Sequence, residues 1–70
     1  MKLYFENSRQ ERRVIAEPKT EQEAMQEINK FCEERNFKIY YVRKWVDGEG
    51  LITYDVGSHF EFFLLDVGNN

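Results

Sequence analysis

The chain has 70 residues, 41% of them hydrophobic, and a net charge of −3, which describes one small domain near the lower size limit for a self-sufficient core. A nucleic-acid-binding domain usually carries a cationic excess, which this composition lacks. A single cysteine excludes an internal disulfide and favours a reducing cytoplasm, and no apolar stretch approaches the roughly 18 residues of a leader-like or membrane-spanning segment.

The chain opens with a predicted hairpin. Residues 2–6 alternate apolar and polar side chains and indicate a short strand. Residues 7–10 are polar and typical of a turn, and residues 12–17 resume the extended pattern. Pro18 follows, and because it lacks an amide hydrogen, it ends the second strand.

A helix is predicted over residues 20–35. Thr20 and Glu23 fit a capping box, in which the Thr20 hydroxyl accepts from the Glu23 amide while Glu23 reaches back. Asn36 suits the left-handed residue that ends a helix. Apolar residues at three- and four-residue spacing form one stripe: Ala24, Met25, Ile28, Phe31 and Cys32.

Three further strands follow the helix. They are predicted over residues 37–46, 51–56 and 59–66, with a glycine-containing hairpin loop at 47–50 and a tight turn at Gly57 and Ser58. The expected fold is therefore a single α+β domain of order ββαβββ, with an antiparallel sheet and one helix packed on one face.

Aromatic side chains are the most informative feature, at 16% of the chain. Most of them fall in the strands after the helix, and both side-chain phases of those strands carry rings. One helix covers only one face of a sheet. The surplus rings therefore predict a partner site, a dimer interface or the amphipathic outside of a small sheet.

The sequence offers no convincing reaction chemistry. Asp55, Ser58 and His59 surround one turn, but three residues on a single tight turn do not converge as a nucleophile, a base and its orienting group. Cys32 belongs to the helix stripe and is expected to be a small core residue rather than a metal ligand. No catalytic residue, metal site or cofactor is predicted.

A single-strand nucleic-acid binder is one alternative. Tyr40 and Trp45 could stack on bases while Arg43 and Lys44 meet phosphates, as on several single-strand-binding sheets. Against it stand the helix count, which is wrong for the familiar two-helix RNA-binding sheet, and the negative net charge. A third possibility is a homodimer that pairs through an unprotected edge strand.

The whole chain resembles small uncharacterised proteins encoded by phages and prophages of Gram-positive bacteria. The resemblance lies in residues 1–8, in the helix segment 23–31 and in residues 54–63. It implies an accessory product in the host-cell cytoplasm that binds and modulates a host protein. Anti-CRISPR inhibitors that block a nuclease are one example of such products. The resemblance supplies no site residues.

The preferred prediction is a non-enzymatic protein-binding module that contacts its partner through the aromatic sheet face and the acidic C-terminal part. From Asp47 onward the chain has five acids and no Lys or Arg. Acids would steer a partner with a basic surface, whereas aromatic anchors would supply the affinity. The predicted contact residues are the anchors Tyr40, Trp45, Tyr54 and Phe63 and the acids Asp47, Glu49, Asp55 and Glu61.

Overall fold

The computed structural model describes residues 1–57 and 61–68, and it confirms the α+β class and the predicted element order. The elements are β1 (Lys2–Glu6), β2 (Arg12–Ala16), α1 (Glu21–Glu34), β3 (Arg43–Val46), β4 (Leu51–Asp55) and β5 (Phe62–Asp66). The predicted turn residue Ser58 and strand start His59 lie outside the described residues. No helix in the described part of the chain is long and apolar enough to cross a membrane.

The five strands form one antiparallel sheet in the order β2-β1-β5-β4-β3. The last strand lies in the centre, where it pairs with the first strand on one side and with β4 on the other. This pairing joins the N-terminal hairpin to the C-terminal meander. It leaves β2 and β3 as the two edges of the sheet.

Both ends of α1 follow the sequence signals. The Thr20 hydroxyl accepts from the Glu23 amide at 3.1 Å, as predicted. The Glu23 carboxylate accepts from the amide of Lys19 at 3.1 Å, one residue earlier than a capping box requires. At the other end Asn36 is left-handed (φ 58°), and the Phe37 amide donates to the Cys32 carbonyl at 2.8 Å, which is a Schellman ending.

The core lies between α1 and one face of the sheet. The rings of Phe5 and Phe31 are 4.8 Å apart, and the Phe63 ring meets Phe31 edge-on at 5.5 Å. Cys32 is buried in the same cluster, which confirms its prediction as a core residue. The cluster consists of Leu3, Phe5, Ala24, Ile28, Phe31, Cys32, Tyr54, Val56, Phe63 and Leu65.

The third strand is shorter than predicted and changes phase. Regular pairing begins only at Arg43, although Phe37 and Ile39 already pack against the core. Strict alternation would put Phe37, Ile39 and Trp45 on one face. Instead, Trp45 lies on the face opposite the helix, beside Phe62. The stretch at 40–42 is irregular and places its rings at the sheet edge. A regular strand would instead divide these rings between the two faces of the sheet.

Candidate functional site

The β2 edge of the sheet is protected. A β-bulge displaces the β1–β2 register between Leu3 and Tyr4, so Ile15 and Ala16 both pack towards the core. A bulge bends a strand and interrupts its regular row of main-chain groups. Arg12 and Arg13 at the start of β2 are exposed and charged. These are two devices by which natural sheets prevent an edge from pairing with other chains.

The β3 edge carries apolar side chains instead. All four strand residues are exposed, and the register with β4 runs without a shift over its described residues. Tyr40 is 67% exposed, Val46 60% and Trp45 46%, although each is large and apolar. We call this strip the β3 edge surface, and it consists of Tyr40, Tyr41, Val42, Trp45 and Val46.

Gly57 positions the start of the β3 edge surface. The Tyr40 amide donates to the Val56 carbonyl at 3.1 Å, which brings the Tyr40 side chain onto Gly57. A Cβ at Gly57 would lie 2.8 Å from the Cβ of Tyr40 and 3.3 Å from the Tyr41 ring. Gly57 also has φ +95°, a conformation that side-chain-bearing residues rarely adopt. The close approach and the backbone angle therefore both require glycine.

An ion pair anchors the middle of the surface. The Arg43 guanidinium donates to the Asp55 carboxylate at 3.0 Å and lies 5.4 Å from the centre of the Tyr41 ring. The backbone amide of Gly57 also donates to Asp55, at 2.9 Å. Mainly through this backbone hydrogen bond, and also through Arg43, the pKa of the nearly buried Asp55 is lowered.

A second polar cluster ties β3 to the helix start. The Glu21 carboxylate accepts from the Lys44 ammonium at 2.5 Å and from the Tyr54 hydroxyl at 2.8 Å. The Lys44 bond is the largest cause of the lowered pKa of Glu21, and the Tyr54 bond comes next. Burial, followed by the Glu21 bond, raises the pKa of Tyr54. Tyr54 is therefore a neutral hydrogen-bond donor in the core.

On the open face of the sheet, Trp45 begins a row that crosses all five strands. Cross-strand pairs link Trp45 to Thr53, Thr53 to Leu64, Leu64 to Tyr4 and Tyr4 to Val14. Leu64 in the centre is buried by its neighbours, whereas Val14 and Trp45 at the two ends are each 46% exposed. These two residues thus form a matched pair on opposite edges of one face.

Two of the predicted aromatic anchors are wrong. Phe63 shares its strand phase with Leu65, faces α1 and is 1% exposed. Tyr54 is fully buried, with its hydroxyl bonded to Glu21. Neither ring can reach a partner from this position. Tyr40 and Trp45, the other two anchors, are exposed and belong to the β3 edge surface.

The four predicted acids do not form one steering patch. Asp55 is wrong as a steering charge, since it is 7% exposed and bonded to Arg43. Asp47 is exposed, but its carboxylate accepts the amides of Glu49 and Leu51 at 2.8 and 3.0 Å and so shapes the hairpin. Glu49 lies exposed at the hairpin tip, while Glu61 is half-buried near Gly57 and Tyr40.

The two cations on which the nucleic-acid alternative depends are bonded to carboxylates of the chain. Arg43 is bonded to Asp55 and Lys44 to Glu21, so both predicted phosphate contacts are already neutralised within the chain. Each already shares its charge with a carboxylate, which removes much of the electrostatic gain of adding a phosphate contact. These ion pairs make the edge less suited to phosphate contact than the sequence predicts.

The sequence alone does not identify Tyr41, Val42 and Val46 as members of the surface, or Gly57 as its support. Tyr41 and Val46 are apolar residues in a β-rich run, and only the edge position of β3 makes them accessible. Gly57 was predicted as a turn residue, but its contact with Tyr40 depends on the tertiary fold.

Comparison of the chain with protein-family models, with curated proteins and with solved structures found no match.

Proposed function

We propose that this chain is a protein-binding module that acts by contact rather than by catalysis, through the β3 edge surface. The observation that supports the proposal is the exposure of Tyr40, Tyr41, Val42, Trp45 and Val46 on one strand edge. Exposed tyrosine and tryptophan side chains dominate the energetics of protein interfaces, and contiguous apolar patches on small proteins mark contact sites.

Tyr40 and Trp45 are the anchors of the proposed surface. Tyr40 rests on Gly57, and Lys38 lies 5.2 Å from the centre of its ring, so the exposed ring is held in place before a partner arrives. Trp45 contacts Phe62 edge-on at 6.4 Å. Anchors that are ordered in the free protein lose less conformational entropy on binding.

The resemblance to phage-encoded proteins directs the search for a partner to bacterial host proteins. We therefore propose affinity capture from a lysate of a Gram-positive bacterium, with the wild-type chain compared with a Tyr40→Ser variant. The serine keeps the Cβ that packs on Gly57 but removes the exposed ring. We expect the captured protein to bind the variant about ten-fold or more weakly once both are purified.

Val14→Ser is the matched control, because Val14 is an exposed apolar residue at the opposite edge of the sheet. It should retain the captured protein at wild-type affinity. Equal loss with both variants, or capture that is insensitive to Tyr40→Ser, would refute the role of the β3 edge surface. Circular dichroism of all three chains checks that each one is folded.

A further inference from the structure

The outer side of β3 offers main-chain hydrogen-bonding groups at defined positions. The Asp47 amide donates to the Leu51 carbonyl at 3.0 Å and closes the β3–β4 hairpin. Antiparallel pairs alternate between residues that bond to the neighbouring strand and residues that point away from it. Counting back from Asp47, Arg43 and Trp45 therefore bond towards β4, while Lys44 and Val46 direct their amides and carbonyls outward.

We propose that a second copy of this chain pairs with β3, antiparallel and centred on Trp45. The inference rests on the proposed function, because it treats the β3 edge as a protein-contact surface. It adds that the backbone of β3 pairs with a second copy of the same strand. Each copy presents the same edge, as a two-fold interface requires. An axis perpendicular to the sheet would join the two five-stranded sheets with both helices on one side.

Charge disfavours two of the neighbouring registers and is compatible with the one centred on Trp45. Centring the pair on Lys44 or on Arg43 would place like charges directly opposite each other, which is destabilising. Centring it on Trp45 places Arg43 opposite Asp47 of the other copy, and Lys44 opposite Val46. The Arg43 side chain is 67% exposed and can bond to a second carboxylate while it holds Asp55.

The side chains also suit this register. The outward main-chain groups of Lys44 and Val46 would bond to the same two residues of the second copy, and the Trp45 residues would form a non-hydrogen-bonded pair. Side chains approach most closely in such pairs. The half-exposed Trp45 ring and the exposed Val46 side chain would thereby lose part of their contact with water.

The aromatic segment before the strand stays outside this register. The paired segment would begin at Arg43, the first residue of β3, and Tyr40 and Tyr41 precede it in the chain. A paired molecule would therefore keep both tyrosines available to a different protein. The self-pairing and the contact through Tyr40 can consequently be tested separately.

Sedimentation velocity of the full chain over a range of concentrations tests the pairing. We expect a monomer–dimer equilibrium that Val46→Lys weakens about ten-fold or more, because the new charge would oppose Lys44 of the other copy. Val14→Lys places the same charge at a valine on the other edge that is 46% exposed, against 60% for Val46, and should leave the equilibrium unchanged. A chain that stays monomeric at every concentration, or equal weakening by both variants, would overturn the proposal.

Disulfide trapping tests the register. In a Cys32→Ala background, Trp45→Cys should form a covalent dimer under mild oxidation, because opposed Cα atoms in such a pair lie about 4.5 Å apart. Arg43→Cys should remain monomeric, since its two thiols would be separated by about four residues of strand, roughly 13 Å. Faster trapping of Arg43→Cys than of Trp45→Cys would overturn the register.

The two proposals fail in different ways. A monomeric chain whose capture of another protein still depends on Tyr40 would exclude the second copy and keep the binding role. A dimer with the trapped Trp45→Cys pair, combined with capture that ignores Tyr40→Ser, would support the pairing and remove the role of Tyr40.

Discussion

The two edges of the sheet are built in opposite ways. At β2, a bulge places Ile15 and Ala16 on the core side, and Arg12 and Arg13 are exposed. At β3, the register is regular over the described residues, and Arg43 and Lys44 are bonded to carboxylates within the chain, as Arg12 is at the other edge. A small domain must manage both edges to remain soluble.

This contrast teaches that exposed charge alone does not protect an edge. Both edges contain two consecutive basic residues, Arg12 and Arg13 on β2 and Arg43 and Lys44 on β3. The edges differ in backbone regularity and in the side chains next to the basic pair. On β3 the pair is followed by Trp45 and by Val46, which is 60% exposed. An edge of this kind is a candidate for pairing, whereas a bulged edge is not.

Among the substitutions that test the difference between the two edges, Gly57→Ala should have the largest effect on stability. Its new Cβ would lie 2.8 Å from the Cβ of Tyr40, and the backbone has φ +95°. We expect a loss of about 2 kcal/mol in the free energy of unfolding, and displacement of the segment at 40–42. Urea unfolding measures the first effect, and amide chemical shifts measure the second.

Gly48→Ala is the control for this substitution, because a Cβ at Gly48 meets nothing within 4 Å. It should change the free energy of unfolding by less than about 0.5 kcal/mol. Shifts confined to the β3 edge in Gly57→Ala would sharpen the contrast between the edges. Equal shifts at β2 would show that Gly57 supports the whole sheet instead.

Local signals predicted most of the fold. The Thr20 cap, the apolar stripe from Ala24 to Cys32 and the left-handed Asn36 all depend on neighbours within one helix, so the sequence pattern contains them. The sequence predicts the start of the third strand at residue 37, six residues before β3 begins at Arg43. Rings and β-branched residues favour an extended chain there, but β4 ends at Asp55 and leaves no further strand to pair with.

The candidate site was less predictable because it depends on sheet order. Phe63 and Trp45 differ in accessibility because Phe63 faces α1 from the central strand β5, whereas Trp45 lies on the open face at the edge strand β3. That order follows from the pairing of the first strand with the last, a contact over nearly the whole chain. Side-chain periodicity indicates which residues share a face of a strand, but not which strand lies at the edge.

Asp55→Asn, on the β3 side of the sheet, should have an intermediate and pH-dependent effect on the free energy of unfolding. The pKa of Asp55 is lowered from 3.8 in the folded chain, so its ionised form stabilises the fold above that pH. This stabilisation is lost as the pH falls through the folded pKa. We expect the wild type to be more stable than Asp55→Asn by about 1 kcal/mol at neutral pH, with the difference closing well below pH 3.8. Urea unfolding at both pH values measures this.

Glu6→Gln is the matched variant at the other edge, where Glu6 accepts from Arg12 at 2.7 Å. The Glu6 side chain is more exposed than that of Asp55, at 16% against 9%, and Asp55 also accepts from the Gly57 amide, so the Glu6–Arg12 ion pair contributes less. We expect a loss of less than about 0.5 kcal/mol at neutral pH. A larger loss for Glu6→Gln than for Asp55→Asn would reverse the ranking of the two edges.

The smallest expected effect is the response of Trp45 to single-stranded oligonucleotides. Trp45 is the only tryptophan in the chain, so its fluorescence reports directly on the β3 edge. Because Arg43 and Lys44 are bonded to Asp55 and Glu21, few cations remain there to release counterions from a phosphate backbone. We expect no saturable quenching at low salt in the wild type.

Glu21→Gln is the sensitised variant, because it leaves Lys44 without its carboxylate. Weak salt-dependent quenching in that variant alone would identify the internal ion pairs as the reason for the negative result. Saturable, salt-sensitive quenching in the wild type would instead make the β3 edge a nucleic-acid surface and contradict the protein-binding proposal at its centre.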